Sequence, residues 1–353
     1  MNARIIDPSL DSRWDAFVEG HPLGCIFHHS AWKQVLVQTF GQLRPLYCIA
    51  EDDQKAIRGA LPCALVSSRI TGKRLVSLPF SLYCDPLVDN PETFENLKAK
   101  LFSEYQAQKA SFLVLRMRFS ADSFQSDAFQ DFVGYKNHIL SLEPDLNELM
   151  HRFDRKCVQS HIHKAERSEV EVRTAETEDD IKIFFGLHVK TRKKFGTPPQ
   201  PLRFFINMWN VLMPKGMMMV HTAWYRNKPI SSLLCLKYKA RVHAEYIGTN
   251  EVYRNISPNM LLMWKAIQEA RRQEYRFFEF GGTSINNEGL LHFKRRWGTA
   301  EENIHHFFYP EVKGFSSDFA RSGEGSVLSK CMKRLPNWLF VQAGKFAYRH
   351  LGG

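Results

Sequence analysis

Apolar positions along the chain recur with helical spacing in some stretches and with strand spacing in others, and their succession predicts the elements. In residues 91–107, Phe94, Leu97, Leu101 and Tyr105 stand three and four apart, which predicts an amphipathic helix. Trp14 and Phe17 suit a shorter helix; Trp32, Val35 and Leu36 suit another, entered through a cap at Ser30. Strand-like runs at 44–51 and 57–67, turned at Asp52 and Asp53, predict an antiparallel hairpin, and 76–78 and 112–119 predict two further strands. Strands, helix and strand in this order give an α/β or α+β domain that is complete by about residue 140.

A second series follows. Leu146, Leu149, Phe153, Val158, Ile162 and Ala165 trace one apolar stripe, which predicts a single helix over 145–167 with a strongly basic remainder. Next come a strand at 170–173, a helix at 178–192, a proline-stiffened loop at 195–201 and a helix at 204–212. A hairpin at 217–225 and 230–238 and a strand at 241–249 lead to a helix at 260–273 and a strand at 277–280. After that strand, Gly281 and Gly282 predict a turn, and a polar loop leads to a helix carrying Phe293, Lys294, Arg295, Arg296 and Trp297, closed by Gly298. The outline of the first series is repeated, so two related domains are expected, residues 1–140 and 141–312. A Gly/Ser-rich linker at 314–325 then opens a basic amphipathic tail, 313–353. Within it, residues 330–350 set Lys333, Arg334, Lys345 and Arg349 beside Trp338, Phe340 and Phe346, a pattern that suits either a helix packed on the body or peripheral contact with an anionic membrane.

Composition narrows the partners. With 353 residues, 44% of them hydrophobic, the chain can build two cores, and a net charge of +11 favours an anionic partner. The seven cysteines form no C-x-x-C pair, and the histidine pairs lack well-spaced carboxylates, so reduced thiols and no metal are expected. No signal-like N-terminus and no run of about 18 apolar residues is present, which predicts a cytoplasmic protein. Zinc-finger spacing and RRM-like runs are missing too, which argues against sequence-specific DNA binding.

Two stretches carry candidate chemistry. In residues 277–298 the paired glycines let backbone pass close to a ligand, and Lys294, Arg295 and Arg296 supply fixed positive charge, as the anion-handling end of an acyl-transfer site requires; the plainer alternative is a solvated basic helix. The loop from Pro79 to Pro86 is stiffened at both ends and holds Tyr83 and Asp85.

Several of these segments together resemble the Fem family of aminoacyl transferases. They are Tyr246-Ile247-Gly248, Ser257-Pro258-Asn259-Met260, Phe277-Phe278-Glu279-Phe280-Gly281-Gly282, Leu290-Leu291-His292-Phe293-Lys294-Arg295-Arg296-Trp297-Gly298 and the basic run Ile162-His163-Lys164-Ala165-Glu166-Arg167. The resemblance implies two tandem GNAT-like domains with central mixed sheets. It also implies transfer of an acyl or aminoacyl group, with amide formation, to a cell-wall (peptidoglycan) or exopolysaccharide precursor. The donor would be an aminoacyl-tRNA, and the acceptor a phosphate-bearing, sugar- or lipid-linked intermediate, with no tightly bound cofactor. Lys294 would stabilise charge developing at the reacting carbonyl. Lys33, Arg155, Lys156, Lys164, Arg295 and Arg296 would hold phosphates, and Trp32, Tyr83 and Tyr246 would shape the cleft.

The chain departs from the pattern in two places. The phosphate loop of acetyl-CoA-dependent GNAT enzymes keeps its arginine here as Arg254, but its small residues are replaced by Ser257 and Asn259, and Pro258 lacks an N–H. An acyl-CoA donor is therefore the second expectation, and a non-catalytic basic membrane-surface adaptor the third. The strand at 112–119 offers Arg116 and Arg118 where a proton-relaying carboxylate is expected, which leaves Asp85 and Glu279 as candidate bases.

Overall fold

The structure, a computed structural model, describes residues 2–118, 129–310 and 327–351. Packing divides the chain into two units. The first takes the chain up to Tyr135 with residues 303–310 and 346–351; the second takes Lys136–Glu302 with residues 327–345.

In the first unit, β1 (Asn2–Ile6) leads through α1 (Arg13–Gly20) and α2 (Ser30–Thr39) to β2 (Leu43–Glu51), β3 (Ile57–Ser68) and β4 (Gly72–Ser77). These four strands form an antiparallel meander in chain order. The short β5 (Leu87–Val88) pairs with β3. Helix α3 (Pro91–Gln108) then carries the chain back, so that β6 (Phe112–Met117) lies parallel to β4. Pro91 presets the first turn of α3, and the Asn90 side chain accepts the Thr93 N–H at 2.9 Å. Its Phe94, Leu97 and Leu101 bury against Leu46, Cys48, Leu61 and Leu75 of the sheet.

The chain enters the second unit within β7 (Gln130–Ser141). The helix expected over 145–167 is broken in two. α4 (Leu146–Arg152) stops at the buried Phe153, and the Asp154 side chain accepts the Cys157 N–H at 2.7 Å. That bond starts a π turn at Arg155–Gln159, which runs into α5 (Ser160–Arg167). An apolar stripe records which face is buried, and a change of helix pitch does not interrupt it.

β8 (Glu171–Thr174) leads through α6 (Glu178–Phe195) and α7 (Leu202–Leu212) to β9 (Met218–Tyr225), β10 (Lys228–Tyr238) and β11 (Arg241–Thr249), again an antiparallel meander. The β9–β10 turn needs only Arg226 and Asn227, both at positive φ. Helix α8 (Pro258–Arg272) crosses to β12 (Phe277–Ser284), which pairs parallel with β11. The two units thus repeat one order of strands and helices, the duplication that the sequence outline implies.

The double glycine is not a turn: β12 runs through Gly281 and Gly282 to Ser284 before α9 (Glu288–Arg295). Among the described residues four strands escape the sequence pattern, namely β1, the two-residue β5, β7 and β13 (Ala300–Tyr309); the last residues of β13 pair antiparallel with β6. β7 was hidden because Asn137 and His138, polar types, occupy fully buried positions. The expected linker at 314–325 lies outside the described residues. The tail beyond it forms two helices, α10 (Val327–Arg334) and α11 (Asn337–Leu351).

Candidate active site

The chemistry of the second unit gathers where β11 and β12 part. Their ladder runs from Arg241/Phe277 to His243/Glu279, while both strands continue beyond it. Gly281 takes a φ of 74°, a left-handed conformation that costs an ordinary residue strain. We expect Gly281→Ala to lower stability by about 1–2 kcal/mol, read as a fall in Tm, because the added methyl meets the Ala244 carbonyl oxygen only at 3.5 Å and the cost is that of the backbone angle.

Lys294 stands at the end of α9 and is 7% exposed. Its Nζ donates to the Gly281 carbonyl at 2.8 Å and reaches the Gly282 carbonyl at 3.5 Å. The glycines and the lysine that stood apart in the sequence are therefore one structural feature. Burial lowers the Lys294 amine to about 7, against the pull of the nearby Glu245 carboxylate. An ammonium has three N–H donors, so a reacting oxygen can take one while the strand holds the others.

Glu245 comes from a β-bulge. In the β10–β11 ladder Leu234 faces Tyr246 and Cys235 faces Ala244, so Glu245 is the extra residue. Burial pushes its carboxyl up to about 7, with Glu279 adding to the rise and His243 and Lys294 opposing it. The sequence reading missed this residue. Its one signal was a carboxylate set between Ala244 and Tyr246 in the middle of a strand, and the bulge that re-aims it leaves no mark in residue type.

Glu279 is fully buried and held on three sides, by Arg241 at 2.5 Å, Asn137 at 2.9 Å and His243 at 3.2 Å. His138 lies nearby; burial, then Lys294, lowers its imidazole to about 4, and its Nδ1 meets the Thr299 hydroxyl at 3.3 Å. Thr299 in turn donates to the Lys294 carbonyl at 3.1 Å.

A cleft of about 360 Å³ opens at the start of α8, lined by Ile247 and Thr249 of β11, Thr191 and Lys194 of α6, Arg254, Ser257–Met260 and Phe293; Lys294, Glu245 and Glu279 are not in its lining. Phe293 is the residue before Lys294, so cleft and lysine share one helix turn. Ser257, at φ 56°, meets His161 Nδ1 at 2.7 Å through its hydroxyl. Asn259 turns its side-chain oxygen onto Ser231 and Thr249, at 2.6 and 2.8 Å.

The remaining residues singled out in the sequence are placed as follows. Tyr246 sits edge-on to Phe205 and His188, at centroid distances of 5.3 and 5.8 Å. Arg295 is held on Glu301 at 2.6 Å, and Arg296 donates to the Cys157 sulfur at 2.6 Å. Arg155, Lys156 and Lys164 are exposed. In the first unit, Trp32 is fully buried edge-on to Phe27, and Lys33 pairs with Asp7. Tyr83 lies under the Arg118 guanidinium at 4.2 Å, and the fully buried Asp85 accepts the Arg118 backbone N–H at 2.6 Å.

Residues 152–295 match the family model described as an acetyltransferase (GNAT) domain. No match is found among curated proteins. Among solved structures, FemX shares the fold at TM-score 0.72 and 15% identity, over 91% of this chain and 100% of that one. L-PGS from Bacillus licheniformis aligns at TM-score 0.60 and 10% identity, covering 92% of this chain and 98% of that one. A tandem GNAT protein from the clavulanic acid biosynthesis pathway aligns at 0.59 and 10%, covering 88% and 99%. At such identities the structural likeness is one of fold, and it bears out the tandem GNAT-like architecture. The matched domain bears out the expected class of enzyme, an N-acyltransferase.

Proposed function

We propose, starting from an N-acyltransferase with a Fem-like tandem fold, that the protein transfers an aminoacyl group from tRNA to an amine on a cell-wall or exopolysaccharide precursor. The observation that carries this reading is Lys294, buried and held on the Gly281 carbonyl beside the bulged Glu245. As the acceptor amine attacks the ester carbonyl, a C–N bond forms and the amine proton passes to Glu245. The oxyanion is met by the Lys294 ammonium, in a setting where a fixed cation acts more strongly than in water. The C–O bond then breaks, and the 3′ hydroxyl of the tRNA leaves with a proton from Lys294. In this scheme Glu279 positions rather than relays: its three partners hold it as a fixed negative charge behind Glu245.

The donor enters through the cleft at the start of α8. An acyl-CoA remains the second reading, because a cleft of about 360 Å³ is large enough for the acyl end of a thioester. Pro258 removes one of the N–H groups that a pyrophosphate would use, and this favours the aminoacyl ester. Arg254 and Lys194 at the cleft, and Arg155, Lys156 and Lys164 elsewhere in the second unit, offer phosphate contacts to the donor or to a nucleotide- or lipid-linked acceptor. In the first unit Lys33, paired with Asp7, is assigned the same duty, while Trp32 and Tyr83 are core residues there. Titration calorimetry with CoA thioesters and with charged tRNA separates the donors: we expect heat from the charged tRNA, and micromolar CoA binding with none to tRNA overturns the choice.

A further inference from the structure

The C-terminal helices pack through one side and leave the other in water. On α11, Phe340 is fully buried, and a methyl at Gly344 would lie 2.2 Å from the Pro199 carbonyl oxygen, so backbone meets backbone there. The last turn is fixed as well: the Gln42 side chain donates to the Tyr348 carbonyl at 2.9 Å. On α10, the Ser329 hydroxyl donates to the Phe195 carbonyl at 3.1 Å.

At 100° per residue the opposite side of α11 holds Trp338, Leu339, Gln342, Lys345, Phe346 and Arg349, all of them exposed. Trp338 is 67% and Phe346 58% exposed, and Leu328 on α10 is 65% exposed. Large apolar side chains kept in water on helices already anchored by their other face mark an interaction surface. Its chemistry is one-sided, since residues 327–351 contain Lys330, Lys333, Arg334, Lys345 and Arg349 and no Asp or Glu. Tryptophan among lysines and arginines on one helix face suits the headgroup level of an anionic bilayer. Among the described residues no helix is long and apolar enough to cross a membrane, so such contact is peripheral.

We propose that the exposed face of α11, with Leu328 and the basic residues of α10, seats the protein on an anionic phospholipid surface. The contact does not depend on the acyl-transfer reading, but it places the enzyme where a lipid-linked acceptor would be.

Co-sedimentation with phospholipid vesicles tests it, using phosphatidylcholine alone or with about a quarter phosphatidylglycerol. The wild-type protein should partition onto the anionic vesicles at least ~10-fold better than onto neutral ones, and added salt should reverse this. Trp338→Ser combined with Phe346→Ser should lower the partition by ~10-fold with circular dichroism unchanged, since both side chains are exposed. In a second readout, bromine-labelled acyl chains should quench tryptophan emission of the wild-type protein. Trp14, Trp32, Trp264 and Trp297 are buried and Trp209 and Trp224 half-buried, so the quenching is assigned to α11 by its loss in Trp338→Phe. Equal binding to both vesicle types, or binding of the double variant at the wild-type level, overturns the proposal.

Discussion

Lys294→Met lowers kcat for acyl transfer by about 10²–10³-fold and leaves donor binding nearly unchanged, because the lost cation acts on charge present only in the transition state. Methionine fills nearly the same volume and removes the charge. The fold gives an independent check on the same group. The Lys294 amine is lowered from 10.5 to about 7, so between those two values the unfolded chain binds the proton more readily than the folded one. Protonating the buried amine therefore costs stability below about pH 7, and that cost fades as pH rises through the window. Denaturant titrations should show Lys294→Met gaining most over wild type near pH 6 and least near pH 10. A gap that does not change with pH means that the amine is not buried in solution.

The second large effect concerns Glu245. Glu245→Gln removes the proton acceptor and should lower kcat/KM by about 10²–10⁴-fold near neutrality. In the wild-type enzyme the carboxyl must be ionised and the lysine protonated, and both titrate at about 7, so the rate should follow a bell with its maximum there. The two apparent constants belong to the pair and not to either residue. In Glu245→Gln the acidic limb disappears while the alkaline limb stays; in Lys294→Met the reverse holds. Loss of both limbs in either variant would point to a step other than proton transfer.

Much of this arrangement was legible before any coordinates. Long periodic elements such as α3, α8 and the β9–β10 hairpin follow from spacing alone, because each buries one continuous face. Lys294 stood out through its neighbours Phe293 and Trp297 and the segment it resembles. What stayed hidden has physical reasons. β7 and β13 carry polar residues at buried positions, His138 and His306 among them, so strand alternation was masked. The π turn after Asp154 keeps the apolar stripe intact while breaking the helix. The bulge that sets Glu245 apart is a property of two paired strands, and neither strand shows it alone. The role of Gly281 was foreseen only as freedom of backbone; that its carbonyl holds the lysine depends on α9 folding back against β12.

The most direct measurement is mass spectrometry of an amine-bearing, phosphate-linked precursor after incubation with the protein and either charged tRNA or an acyl-CoA. With the wild-type protein and charged tRNA, the acceptor should gain the mass of one aminoacyl group through an amide. Lys294→Met and Glu245→Gln, folded and still binding donor, should form product only at the reduced rates given above. Product formed by both variants at the wild-type rate would contradict the account.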